Sequence, residues 1–268
     1  MARILTLLLL LPLAGFAQNY AYFAGGRSAG LAHSSVAITD IWAGHHNQAA
    51  LGFLEKTTVA ISYENRFFLP DLALANAAFA YPSKLGTVGL SLSYFGFELY
   101  NESKFGLNYS RAFGKYFSLG LQVNYHSYYI SEGSGSPNSV TFEAGVLAKP
   151  VKNLNIGFHV FNPSSSFKNI ETEERLPLMA RLGALYKIGD DIGITAEVKK
   201  SEGIKERYAV GLEYRIIEKI VLRTGVGLQP LTNTFGLGLD LGAFTADLSY
   251  EYAQVLGSNG NLSLQYAF

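Results

Sequence analysis

The chain has 268 residues and no cysteine, and its 21 Lys and Arg are matched by 21 Asp and Glu. A formal net charge of zero gives no electrostatic footprint for nucleic acid. The absence of cysteine excludes disulfides, thiolate nucleophiles, Cys-ligated metals and a lipoprotein anchor. Charged residues make up only 16% and aromatics reach 13%, whereas soluble domains carry about 25% charged residues. No apolar run after residue 17 approaches the roughly twenty residues of a membrane helix. The membrane solution left is a closed β-barrel, whose backbone groups pair between strands so that no edge faces lipid.

The first residues predict a signal peptide over residues 1–17. Arg3 supplies the positive start, residues 4–13 the apolar stretch, and Ala14-Gly15-Phe16-Ala17 a small-residue cut site before Gln18. Residues 18–56 follow without alternation. They are rich in Gly and Ala around Gly25, Gly26 and Arg27 and again before and after Asn47, and they hold the sole tryptophan, Trp42. A short helical patch is expected around residues 36–42. A barrel of about fourteen strands has a lumen wider than wall side chains can fill, since eight strands already give a nearly filled interior. Residues 18–56 are therefore expected to form a plug in the lumen.

From residue 57 to 268 the pattern has period two. Leu119, Leu121, Val123 and Tyr125 alternate with Gly120, Gln122, Asn124 and His126. At the end of the chain Leu262, Leu264, Tyr266 and Phe268 alternate with Asn261, Ser263, Gln265 and Ala267. One apolar face toward lipid and one polar face toward a lumen produce this pattern. It predicts an all-β fold, an antiparallel transmembrane β-barrel of about fourteen strands. Strands are expected to begin near Thr57, Asp71, Thr87, Ser103, Tyr116, Val140, Asn153, Leu178, Ile192, Arg207, Lys219, Thr234, Thr245 and Gly260. Connectors are expected to alternate between tight turns, such as Gly114-Lys115, and longer polar loops over residues 131–139, 162–176 and 201–206. Outer-membrane barrels keep tight turns in the periplasm, and an even strand count then places both termini there. A soluble β-sandwich also alternates, but its solvent face would be rich in Lys, Glu and Thr, whereas here the polar faces are full of Gly and small residues.

The inward register carries charges of both signs, including Glu143, Arg181, Glu213, Arg215, Arg223, Asp240 and Glu251. Interleaved signs form no selectivity ring; they read as salt bridges between strands that also hold the plug. His33, His45 and His46 have no carboxylate at ligand spacing, so no metal or other cofactor is expected. His126 and Ser127 are neighbours in a strand and face opposite ways, so they cannot share a proton, and no enzyme is expected. Phe67, Phe68 and Leu69 are an apolar tip in an outer loop. They read either as an extension of the interfacial aromatic belt or as a contact for a ligand or partner, with Tyr128 and Tyr129 at the same level.

Residues 25–51 contain Gly25-Gly26-Arg27-Ser28-Ala29-Gly30-Leu31-Ala32, then Val36-Ala37-Ile38-Thr39-Asp40, then Asn47-Gln48-Ala49-Ala50-Leu51. This resembles the N-terminal pattern GxRAxGMGGAxVAxADDxxAxxxNPAGL of the PorV/PorQ branch of the FadL-like barrels. Residues 153–163, Leu176-Pro177-Leu178-Met179-Ala180-Arg181-Leu182-Gly183 and residues 222–268 with their terminal Phe are similar to later parts of the same family. Gln48 departs from it, standing where the family has Pro. The resemblance implies a fourteen-stranded barrel with an N-terminal hatch in the outer membrane of a Gram-negative-type bacterium. It also implies one of two roles. PorV-like members bind exported cargo proteins in type IX secretion, and FadL-like members move hydrophobic small molecules. The polar, Gly-rich lumen favours the first role, with the outer rim binding an exported protein or a secretion component. A transporter of a hydrophobic small molecule and a structural accessory subunit are the alternatives. Outer membrane lipid is the partner common to all three.

Overall fold

Period-two alternation becomes a closed antiparallel sheet in the computed structural model, which describes residues 23–131, 138–163, 176–254 and 257–268. The predicted signal peptide lies outside the described residues, as do residues 132–137 and 164–175 of the expected loops. The strands are β1 (Thr58–Arg66), β2 (Ala73–Ser83), β3 (Gly86–Phe97), β4 (Tyr100–Phe113), β5 (Phe117–Ile130), β6 (Asn138–Val151) and β7 (Leu154–Phe161). They continue as β8 (Met179–Ile188), β9 (Ile192–Ser201), β10 (Arg207–Ile217), β11 (Ile220–Leu228), β12 (Thr232–Asp240), β13 (Phe244–Ala253) and β14 (Gly257–Ala267). Each pairs with its sequence neighbours, and β14 closes on β1 from Thr58 opposite Ala267 to Arg66 opposite Asn259. Among the described residues the register shifts only between Arg215 and Ile217 and between Ala148 and Val151. Both shifts lie at the tight-turn end; toward the other end the β6–β7 ladder stops at Glu143 opposite Phe161, while β6 runs on to Asn138.

The two faces are inverted relative to a water-soluble protein. On β5 Leu121 is 63% exposed while Asn124, on the inward face, is fully buried. Outward Leu, Val, Tyr and Phe cover the wall on every side, and the inward positions are Ser, Thr, Asn, Gln, Gly and charged residues. Such a surface is stable only against hydrocarbon, where a midplane Lys or Arg would cost about 2–4 kcal/mol.

The expected strand starts agree with the observed ones, with the largest departures at β4 and β14. Those two were expected near Ser103 and Gly260 and begin at Tyr100 and Gly257. Two expectations need correction. Connector length does not alternate throughout: at the long-loop end β3 and β4 are joined by Glu98 and Leu99 alone, a hairpin as tight as those opposite. Residues 36–42 are turns, and the helices lie to either side as α1 (Gly26–Gly30) and α2 (Ala43–His46), followed by a 3-10 segment Gln48–Phe53. The backbone of the intervening stretch makes turn bonds, such as Ile38 N to Ser35 O at 3.1 Å, and also bonds to the wall. Val36 N donates to Glu197 on β9, and the carbonyl of Ala37 accepts from Asn155 on β7.

Candidate functional site in the barrel lumen

Residues 23–54 pack against the inward face of the wall, and glycine makes the approach close enough. A Cβ on Gly225 of β11 would sit 2.7 Å from the Ala32 nitrogen, and one on Gly211 of β10 would sit 2.8 Å from the Leu31 Cβ. On Gly120 of β5 and Gly157 of β7 a Cβ would overlap the backbone of residues 48–49 and of Val36. Gly25 is itself constrained twice. Its φ of +86° suits glycine, and a Cβ there would lie 2.7 Å from the Trp42 Cγ. Trp42 is thereby buried among Ala24, Ile38, Ile41 and Leu51 in the apolar centre of this segment, and Gly26 donates its N–H to Ser263 on β14 at 2.9 Å.

Three ionic clusters tie the segment to the wall. Near the tight-turn end Arg27 donates from Nε and Nη2 to both oxygens of Glu213, at 2.9 and 2.8 Å. Arg223 donates to the same carboxylate at 2.7 Å and to Asp247 at 2.7 Å. Nearer the long-loop end the Arg181 Nε meets the Glu197 Oε1 at 2.6 Å. The Arg181 Nη atoms reach the carbonyls of His33 and His46 and the Ser35 hydroxyl. The Glu197 Oε2 accepts the N–H groups of Ser35 and Val36, each at 2.9 Å. Third, Glu143 gathers Lys104 Nζ at 2.9 Å, His159 Nε2 at 2.8 Å, Gln48 Nε2 at 2.7 Å and Asn124 Nδ2 at 2.8 Å. Asn47 adds a neutral link, donating to Val36 O at 2.8 Å and to Val146 O on β6 at 3.0 Å.

The structure therefore brings together Arg27 with Glu213 and Arg223, and draws Asn47 and Trp42 into the same packed segment. Glu251 pairs with His33 at 3.2 Å near the long-loop end, and Arg215 pairs with Asp240 at 3.2 Å at the tight-turn mouth. That mouth holds a polar cavity of about 230 Å³ lined by Arg27, Asp40, Trp42, Lys187 and Asp191 among others. Lys104 was missed from the sequence because it sits at the edge of a strand expected to start one residue earlier. Counting back in twos from Gly106 places it inward. Gln48, where the family pattern has Pro, supplies a donor to Glu143 that Pro lacks.

His126 points inward to Thr141 at 2.9 Å, whereas Ser127 lies on the lipid-facing wall. A shallow apolar depression of about 660 Å³ opens there over Ala75, Ala77, Ile61, Leu92 and Phe105. At the long-loop end Phe23, Phe161, Leu176 and Met179 form a separate buried apolar cluster. The Lys199 Nζ lies 4.8 Å from the Phe23 ring centre, and Arg207 borders the same small cavity of about 10 Å³. Phe23, the first described residue, thus lies at the end opposite Phe268, whose N–H bonds Thr57 O at 2.9 Å.

Phe67 and Phe68 are exposed and take successive left-handed backbone angles, φ +56° and +55°. They turn back toward β14: a Cβ on Gly257 would touch Phe67 and one on Gly260 would touch Phe68, each at 3.4 Å. Tyr128 and Tyr129 do not join this tip. They sit on β5 opposite Glu102 and Asn101 of β4, with Tyr128 turned inward and Tyr129 outward.

No protein-family model matches the chain, and no curated protein matches it in sequence. Solved structures do match. A toluene transporter of Ralstonia pickettii, TbuX, superposes with a TM-score of 0.73 at 10% identity, over 92% of this chain and 99% of its own. The Pseudomonas putida toluene transporter TodX gives 0.71 at 10% identity over the same shares. A Pseudomonas aeruginosa FadL homologue gives 0.65 at 13% identity, over 91% of this chain and 98% of its own. The fold is that of the FadL-type outer-membrane barrels. Two of these structures are named as toluene transporters, but at such identities the likeness is one of architecture; function has to be argued from the site.

Proposed function

We propose that the chain is an outer-membrane protein of a Gram-negative-type bacterium that admits hydrophobic small molecules. In this reading the tight turns and Phe268 are periplasmic, and residues 18–56 act as a plug whose described part, from residue 23 on, corresponds to the closed position. The observation that carries the reading is the combination of a closed barrel with a segment held in its lumen by displaceable polar clusters. The likeness to toluene transporters over nearly the whole chain supports it. A ligand arriving from the loop end first meets the cluster of Phe23, Phe161, Leu176 and Met179. The chain's own Phe23 fills that site, so binding displaces it.

Toluene titrated into the refolded protein is expected to bind saturably, and Phe161→Ala with Met179→Ala is expected to weaken binding about tenfold or more. Loss of two buried apolar contacts of about 1.5 kcal/mol each would suffice. Calorimetry in detergent is the measurement, and no saturable binding of toluene or of a fatty acid would sink the proposal.

A second reading follows the PorV/PorQ resemblance: the rim captures an exported protein or a secretion component. The exposed Phe67-Phe68-Leu69 tip favours it, since two consecutive left-handed phenylalanines are strained and such strain gathers at functional sites. Under this reading Phe67→Ser with Phe68→Ser abolishes co-purification of a stoichiometric protein partner from native outer membranes, while heat-modifiable folding stays intact. Unchanged capture removes the tip from the hypothesis.

A further inference from the structure

The tight-turn end is divided in charge. Over β2–β7 its turns and strand ends carry Lys84, Arg111, Lys115, Lys149 and Lys152, and the only carboxylate described there is Glu55, beside Lys149. At the opposite end of the same part of the wall the exposed or partly exposed charges are mainly acidic: Asp71, Glu98 and Glu102, with Arg66 held by Glu64 at 2.8 Å. The chain as a whole is neutral, so this asymmetry is one of placement.

Among the described residues Lys84, Arg111, Lys115 and Lys152 make no ion pair. Their geometry places them at the rim of the apolar belt. Arg111 shares the outward row of β4 with Tyr109 and Phe113 and lies over the Phe113 ring at 5.8 Å, and the Lys115 Nζ lies over the Tyr116 ring at 5.1 Å. Cations on long apolar stems stacked on lipid-facing aromatics reach the headgroup layer. The turns are too short to project far beyond it. Successive turns stand two strand spacings apart, roughly 10 Å. That is close to a Debye length, so the cations act on the same layer of anions.

We propose that this basic arc binds the phosphates of anionic phospholipids in the leaflet at the tight-turn end. It fixes the depth and tilt of the barrel, independent of what passes through the lumen. The proposal rests on the membrane placement argued above, and the test keeps the two apart. Full-length protein is refolded into phosphatidylcholine vesicles containing spin-labelled phosphatidylglycerol or spin-labelled phosphatidylcholine, and heat-modifiable mobility reports insertion separately. The inserted wild type is expected to hold phosphatidylglycerol several-fold more strongly than phosphatidylcholine, with the preference falling as salt rises. Lys84→Gln, Arg111→Gln, Lys115→Gln and Lys152→Gln together are expected to bring the ratio near unity. Lys200→Gln with Lys205→Gln, at the other end, is expected to leave it unchanged. Equal retention of both lipids by inserted wild type overturns the proposal, as does a preference that survives the fourfold change. Failure to insert overturns the membrane reading itself.

Discussion

Replacing Arg181 by Met is expected to cost about 3–5 kcal/mol of stability, the range for breaking one partner out of a buried ion pair. Arg181 is 1% exposed and its Glu197 partner 8%. The guanidinium reaches Glu197, Ser35 and two carbonyls of the lumen segment, and Glu197 in turn holds two backbone N–H groups of that segment. Met leaves Glu197 with those two donors and no cation in direct contact. The loss falls first on the attachment of residues 33–46, before the sheet. Trp42 is the sole tryptophan and 2% exposed, so a urea titration followed by its emission reads that attachment directly. The midpoint of the red shift should drop well ahead of the loss of β-sheet signal. Arg181→Met with Glu197→Gln should recover part of the loss, because removing both charges leaves none stranded. A single variant within about 1 kcal/mol of wild type would mean that the cluster is solvated and holds nothing.

The wall was legible in the sequence because lipid and lumen impose opposite demands on neighbouring residues. Leu121 beside Gln122 can be satisfied in only one way, and a one-residue slip would turn every such pair over. The interior was less legible. Residues 36–42 look helical by local propensity, yet Val36 and Ala37 take backbone partners from Glu197 and Asn155, more than a hundred residues away; no local pattern announces that. The inward placement of Glu143, Arg181, Glu213 and Glu251 follows from alternation, but which of them meet does not. Glu143 and Arg181 serve separate clusters, and Glu213 meets Arg27 only because the lumen segment carries Arg27 to the tight-turn end before returning to His33 beside Glu251. Strand phase puts the Phe67-Phe68 tip level with Tyr128 and Tyr129, yet the two do not meet. Height along the barrel is readable from strand phase, whereas the direction in which a loop leans depends on the bare Gly257 and Gly260 beside it.

Gly120→Val and Gly157→Val, made together, should drive the segment out of the lumen while leaving the barrel folded. Each valine places atoms where the backbone of residues 48–49 or Val36 now lies. Overpacking costs about 1–3 kcal/mol per site, and the wall can shed that strain by releasing the segment. The outward faces of β5 and β7, including Leu121, Val123 and Phe158, keep their lipid contacts, and every strand keeps both of its neighbours. The expected result is a heat-modifiable barrel that conducts ions steadily in a planar bilayer, with Trp42 open to acrylamide quenching. Wild type should be silent and quench poorly. Ala144→Val, on the lipid-facing side of β6, adds the same bulk without touching the segment and should behave as wild type. A silent double variant with Trp42 still protected would show that the wall bends to accommodate the valines, and the close approach through glycine would then not be what keeps the lumen closed.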